Sequence, residues 1–245
     1  MTLSSPADEK RRRLALRLLA SGALSASPAL SAAAELLGTV PDRLPPGRSI
    51  HRLSGAVRVN GRPATRDTAI GPADTVETGR GAEVVFAVGT SAFLLRADSR
   101  LSLQGREERG SVVASALRLV TGALLSVFGR SDQVVTLGSP TATIGIRGTG
   151  VYLEADARLS YFCTCYGTAE VGAVADPAVR TTVQATHHDR PLYVLARPEG
   201  GSLIREAPFR NHTDQELALI EALVGRTPPF VFQDDDYDRP RRRDY

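Results

Sequence analysis

From residue 53 to residue 203, apolar and polar positions alternate in short runs that are cut by Gly, Asn, Asp and Pro. Side chains of an extended chain point to opposite faces with a period of two, so each run predicts a strand with one face buried. The segment AVRVNG (56–61) alternates and ends in Asn-Gly, a strong local signal for a tight hairpin. The same alternation marks AEVVFAVG (82–89), AFLLR (92–96), RLSL (100–103), ALRLVTG (116–122), ALLSVFG (123–129) and QVVTL (133–137). It continues in TIGIRG (143–148), GVYLEA (150–155), LSYFCTCY (159–166), AEVGAV (169–174) and TTVQAT (181–186). No stretch here has a clean helical period. The pattern therefore predicts an all-β fold of sequential strands joined by tight turns, built as a multi-stranded sandwich or a β-solenoid.

A different period appears near the end of the chain. Thr213 and Glu216 have the spacing of a capping box, and Leu217, Ile220, Leu223 and Val224 share one helical face. Together they predict a helix over about 214–224, ended by Gly225 and docked on an open edge or mouth of the β-domain.

Composition sharpens this outline. Of the 245 residues 42% are hydrophobic and 23% charged, which places the chain among folded proteins with a sizeable core. Aromatic residues are 5% and Trp is absent, while Gly numbers 22 and Pro 15, so the core has to come from Val, Leu, Ile and Ala between many turns. The net charge of +3 arises from basic residues at the two ends, Lys10 to Arg13 with Arg17, and Arg239 to Arg243. The middle is balanced and lacks a basic stripe with interleaved aromatics, so nucleic acid is not an expected partner.

The first residues read as an address. A basic run, KRRRLALR (10–17), precedes an apolar stretch diluted by Ser, Gly and Pro (18–34), which is the order of a signal peptide. The stretch is too short and too polar to span a membrane, and Ala32 and Ala34 form a small-x-small site that predicts cleavage after Ala34. Arg12 and Arg13 resemble the pair of a twin-arginine signal. Residues 1–34 are thus expected to be a signal peptide directing the chain to the periplasm, with no membrane segment in the mature protein. Residues 35–52, with three prolines, read as a linker. Residues 233–245, with blocks of opposite charge and no apolar anchor, read as a disordered tail.

The order of four segments is more specific than any of them alone: GAVRVNG (55–61), the long run 74–103 that opens with DTVETG, LVTGALL (119–125) and SPTATIGIRGT (139–149). In this order and spacing they resemble a FecR-type domain over residues 53–175. The best-matched parts are the turn of Asp74, Val76, Thr78 and Gly79 and the stretch ending in Arg147, Gly148 and Thr149. Gly79 and Gly148 are expected to supply the positive φ of tight turns, and Thr78 and Thr149 to bond neighbouring backbone. Arg147 is expected to bond carbonyls or a carboxylate such as Glu154 or Glu170. Gly150 stands where the family often has an aromatic residue, so the strand is expected to bend there. The resemblance implies a periplasmic β-rich domain that senses or binds an envelope component. Known members add a cytoplasmic anti-sigma region and a membrane helix, which this sequence does not show, so the implied role is a non-enzymatic binding or regulatory module. Its partner would be an envelope protein or a cell-wall component.

Residues 176–232 extend beyond that pattern, and the candidate chemistry gathers around this extension. Both cysteines, Cys163 and Cys165, lie just before it, and three of the four histidines, His187, His188 and His212, lie within it. On a regular strand Cys163 and Cys165 share a face with Cβ atoms about 7 Å apart, whereas a disulfide needs about 4.5 Å or less. Two thiolates on one face can instead share a metal ion, which two imidazoles would complete as a tetrahedral Cys2His2 set for zinc or another transition metal. His187 and His188 would face opposite sides of a strand, so at most one joins unless a bulge or turn re-aims the other. Packed thiols and a disulfide in distorted backbone remain open beside the metal reading. Met1 is the only methionine, which excludes Met-based copper sites. No Gly-x-Ser-x-Gly elbow or phosphate loop is present, and a cysteine nucleophile served by one of the histidines is the sole enzymatic alternative.

Overall fold

In the computed structural model the described residues are 43–45, 47–108, 111–129 and 134–230. The expected signal peptide (1–34), residues 35–42 and 46 of the expected linker, and the expected tail (233–245) lie outside them. Among the described residues, fourteen strands and one helix follow in order. They are β1 (Ile50–Ser54), β2 (Val57–Val59), β3 (Arg62–Pro63), β4 (Thr75–Thr78), β5 (Glu83–Val88), β6 (Ser91–Leu95), β7 (Arg100–Glu108) and β8 (Ser111–Val127). After these come β9 (Val135–Gly138), β10 (Ala142–Ala155), β11 (Leu159–Ala173), β12 (Arg180–Ala185), β13 (Leu192–Glu199), β14 (Ser202–Glu206) and α1 (Asp214–Leu223). The fold is all-β with one helix docked on it.

All strands join one hydrogen-bonded sheet, which doubles over because β8, β10 and β11 change neighbours part-way along. The early half of β10 pairs with β9 and its late half with β8. The early half of β11 pairs with β13 and its late half with β12. β8 pairs with β7 first and then with β6. One layer therefore runs β14-β13-β11-β10-β8-β6-β5-β1, and the other runs β12-β11-β10-β9-β8-β7-β4-β2-β3. The inner faces of both layers merge into one apolar core that includes Phe86, Phe93, Leu101, Leu119, Leu124, Ile144, Leu153, Phe162 and Val171.

A strand that passes between facing layers must exchange its buried and exposed faces, and each of the three does so at a glycine. In β10 the core takes Ile144 and Ile146 and then Val151 and Leu153, a change of parity. In β11 it takes Phe162 and then Ala169 and Val171, and in β8 Leu117 and Leu119 and then Leu124. The register slips at the same places, and Gly122, Gly148 and Gly167 have φ of 92°, 55° and 89°. Such bulges add a residue, bend the strand and swap its faces. The alternation predicted separate strands on either side of each of these glycines; the chain instead continues through the bend. The reason is spatial: a would-be Cβ on Gly122 sits 1.9 Å from Ser99 Oγ, and one on Gly167 sits 2.7 Å from Thr149 Cγ2, so close packing rather than chain reversal requires glycine.

Several expected turn roles are corrected. Gly148 has positive φ, but Gly79 does not; Gly81, with φ 66°, carries the left-handed position of that turn. Thr78 does bond backbone, donating to the Arg96 carbonyl and accepting from Ser99 N–H. The Thr149 hydroxyl is buried without a hydrogen-bond partner, its methyl being packed against Gly167. Asp74 holds its turn through bonds from Gly71 N–H and the Asn60 amide. Arg147 is exposed, and the carboxylates expected for it pair elsewhere, Glu154 with Arg210 and Glu170 with Arg180.

The capping box forms in full: the Thr213 side chain accepts from Glu216 N–H, and the Glu216 carboxylate accepts from Thr213 N–H. α1 lies across the outer face of the first layer rather than on an edge, touching β5, β6 and β8. Leu217, Ile220 and Leu223 pack there on Val85, Leu94, Leu125 and Val127. That outer face is apolar because the outward-facing positions of β5, β6 and β8 are themselves apolar, and the helix packs over them.

Candidate metal centre

β11 carries both cysteines through its bulge. Tyr152 pairs with Cys163 and Val151 with Thr164, but Gly150 pairs with Tyr166, so Cys165 is the extra residue. The bulge puts Cys163, Cys165 and Tyr166 together in the outer cluster. Gly150 permits this, because a Cβ there would lie 2.5 Å from the Tyr166 ring. The expected bend at Gly150 is present, and an aromatic from the neighbouring strand fills the space.

His188 arrives from the turn between β12 and β13. Its φ of 56° is left-handed, an uncommon conformation for a side chain of this size, and its N–H donates to the Cys165 carbonyl at 2.8 Å. This kink turns two adjacent imidazoles toward the same carboxylate: His187 Nε2 lies 2.9 Å and His188 Nε2 2.7 Å from the two oxygens of Asp214. His212, from the segment leading into α1, is buried and stacked on the Tyr152 ring at 4.4 Å between centroids.

The consequence is a cluster of four donor atoms. The ligand atoms of Cys163, Cys165, His188 and His212 all lie within 4.8 Å of one another. Cys163 Sγ is 3.7 Å from His188 Nδ1, Cys165 Sγ is 3.4 Å from His212 Nε2, and the two nitrogens are 3.1 Å apart. A tetrahedral ion with bonds of about 2.0–2.3 Å has edges of about 3.3 Å between nitrogens and about 3.6 Å between nitrogen and sulfur. These three separations are close to the corresponding edges of that tetrahedron.

The outer nitrogens complete the design. His212 Nδ1 lies 2.8 Å from the Arg210 carbonyl and His188 Nε2 lies on Asp214, each placed to donate its proton. These bonds leave His212 Nε2 and His188 Nδ1 as the atoms facing the sulfurs, which is how ligating histidines are oriented in metal sites. Asp214, which holds both His187 and His188, carries little signal in the sequence. Its only signal is its place two residues after His212.

The electrostatics show what the cluster does when the four groups face one another alone. The hydrogen bond from the Cys165 thiol holds Cys163 below the ordinary thiol range; burial opposes this, and His188 reinforces it. Burial pushes Cys165 up, so the pair shares one proton. Burial lowers His188, but the Cys163 thiolate and Asp214 outweigh it and hold it above its usual value. Burial likewise opposes, and the hydrogen bonds from His188 and His187 produce, a depressed Asp214. Thiolate, imidazole and carboxylate in line are also the parts of a cysteine nucleophile with its base, but here both cysteines are fully buried.

Of the five candidate ligands, the fold thus gathers Cys163, Cys165, His188 and His212 and sets His187 one layer out, on Asp214. Both cysteines are free thiols.

No protein-family model matches the chain, and no curated protein matches it. Among solved structures, two determinations of "a putative anti-sigma factor from Parabacteroides distasonis", at 2.50 and 1.65 Å resolution, align with TM-scores of 0.43 and 0.42 at 12% and 10% identity. Each alignment covers 54% of this chain and 58% of the solved chain, so the match spans little more than half of either protein.

Proposed function

We propose that this chain is an exported, non-enzymatic FecR-like module of the cell envelope whose Cys163–Cys165–His188–His212 cluster binds a transition-metal ion, zinc being the ion that the donor set fits. The observation that carries the reading is convergence. Donors from a strand bulge, a left-handed turn and the approach to α1 meet at tetrahedral spacing, each histidine fixed from behind. A set in which all four positions are filled by protein ligands and which is closed to solvent is structural in character, so the ion would fasten the extension to the sheet rather than act on a substrate. Export is supported by the Arg12–Arg13 signal-like start, and the FecR-like assignment by the ordered segments between residues 53 and 175. A regulatory role through an envelope partner fits a β-domain whose outer apolar face is covered by an extension of its own chain.

The test is direct. The protein is isolated from the periplasmic fraction without chelator, and native mass spectrometry with elemental analysis gives the metal content. One zinc per chain that survives dialysis is expected, and the Cys163→Ser/Cys165→Ser double variant, still melting cooperatively, is expected to retain none after dialysis. A metal-free wild type that takes up no zinc when titrated would overturn the reading.

A further inference from the structure

The buried centre poses a question of access. Cys163, Cys165 and His212 are closed to solvent and His188 nearly so, its side chain being 8% exposed, so a hydrated cation cannot reach the four donors from outside in one step. On the solvent side of the same His188 ring stands a second group of donors. His187, His188 and Asp214 offer ligand atoms within 4.8 Å of one another. His187 and Asp214 are 39% and 21% exposed. Three protein donors with room for water are the pattern of an open site, and nitrogen and oxygen donors hold divalent ions less firmly than a pair of thiolates.

We infer that His187, His188 and Asp214 form a loading site, which captures a hydrated divalent transition-metal ion at the surface and passes it to the buried cluster by way of the shared His188 imidazole. This rests on the reading of the inner cluster as a metal centre. The ring presents Nε2 outward to Asp214 and Nδ1 inward toward Cys163 and His212. In the captured state the ion takes His187 Nε2, His188 Nε2 and an Asp214 oxygen, its remaining positions keep water, and the His188 proton sits on Nδ1. On transfer the ion exchanges Nε2 for Nδ1 and gains both sulfurs and His212 Nε2. The ring proton moves to Nε2, where Asp214 accepts it as a hydrogen bond, the thiol proton leaves to solvent, and no electron is transferred. The left-handed backbone at His188 is what makes the arrangement possible, since a regular strand would send the two adjacent imidazoles to opposite faces.

Cobalt(II) added to metal-free protein tests this, because thiolate coordination gives intense sulfur-to-metal absorption while a hydrated nitrogen–oxygen site absorbs weakly. In rapid mixing, the wild type is expected to show a weak early spectrum that converts to the intense one. The Cys163→Ser/Cys165→Ser variant is expected to stop at the weak spectrum, and His187→Ala to reach the full intense spectrum with loading slowed by about tenfold or more, the scale at which outer partners affect a metal site. His187→Gln, which keeps a hydrogen bond to Asp214 but ligates poorly, must be as slow as His187→Ala. Wild-type loading rates in His187→Ala, or their restoration in His187→Gln, would overturn the loading site while leaving the inner centre standing. A wild type that never develops the intense band would remove the inner centre itself, and a serine variant that binds no cobalt would remove the outer one.

Discussion

The two apolar clusters of this molecule lie on opposite faces of one layer and are built by different rules. The cluster between the layers consists of Val, Leu, Ile, Ala and Phe, with Phe93 set against Phe86 and Phe128. The cluster under α1 holds Tyr152, Tyr161, Tyr166 and both cysteines, with His212 against Tyr152. Each of these three tyrosine hydroxyls has a partner: Tyr152 donates to Glu154, Tyr161 accepts from Arg210 N–H, and Tyr166 donates to Glu221. A buried polar group is tolerated only where it is hydrogen-bonded, so each such residue in the outer cluster commits a neighbour to a fixed position. The inner cluster supplies bulk stability and carries no chemistry. The outer one gives up some of that bulk for a network that aims side chains, and the spacing of the four donor atoms is part of it.

If this division is real, the clusters should respond differently to substitution, and the largest contrast comes from the inner one. Phe93→Ala should lower stability by about 3–5 kcal/mol in chemical denaturation, through lost transfer energy and the cavity left behind. It should leave the zinc affinity of the molecules still folded unchanged. Gly150→Ala, at the bulge, should cost about 1–3 kcal/mol by forcing the Tyr166 ring aside. Unlike Phe93→Ala, it should also weaken zinc binding in a competition titration, because the same bulge aims Cys165. Asp214→Asn should lower zinc affinity by about 10–100-fold with little change in melting temperature, the mark of a residue that orients a ligand.

The smallest effect is a dependence on pH. Glu221 is buried beside Tyr166 and Arg226, and burial raises its carboxyl above the ordinary range despite the Arg226 charge. A carboxyl whose folded-state pKa is raised favours the fold while protonated. Its contribution is full below the unfolded-state value and is lost as pH rises through the folded-state value. Thermal melts of the wild type from mildly acidic to neutral pH should show that decline, and Glu221→Gln should flatten it.

Much of this architecture is legible in the chain. Period-two alternation places most of the strands, and the Thr213–Glu216 spacing places the helix, because both signals are local. The five candidates Cys163, Cys165, His187, His188 and His212 can be gathered on chemical type alone, but that does not tell which of the two adjacent histidines faces the sulfurs. What cannot be read is which glycines reverse the chain and which bend it. Gly122 and Gly167 look like turn residues, yet the residues packed against them, Ser99 and Thr149, come from distant sequence. The same limit hid the role of His187. Alternation assigns it a face, but the backbone of His188 departs from the strand, and only the sheet order that brings β11 beside the β12–β13 turn shows why. Asp214 escaped notice because an acidic residue in the first turn of a helix is already explained by the helix dipole.

The three bent strands also bear on how the molecule comes apart. β8, β10 and β11 belong to both layers, so neither layer can lose its ladder without pulling on backbone that the other needs. The two faces of the sandwich should therefore behave as one cooperative unit. Amide hydrogens of Leu101 in one layer and Leu94 in the other should exchange through the same global opening, with equal protection under native conditions.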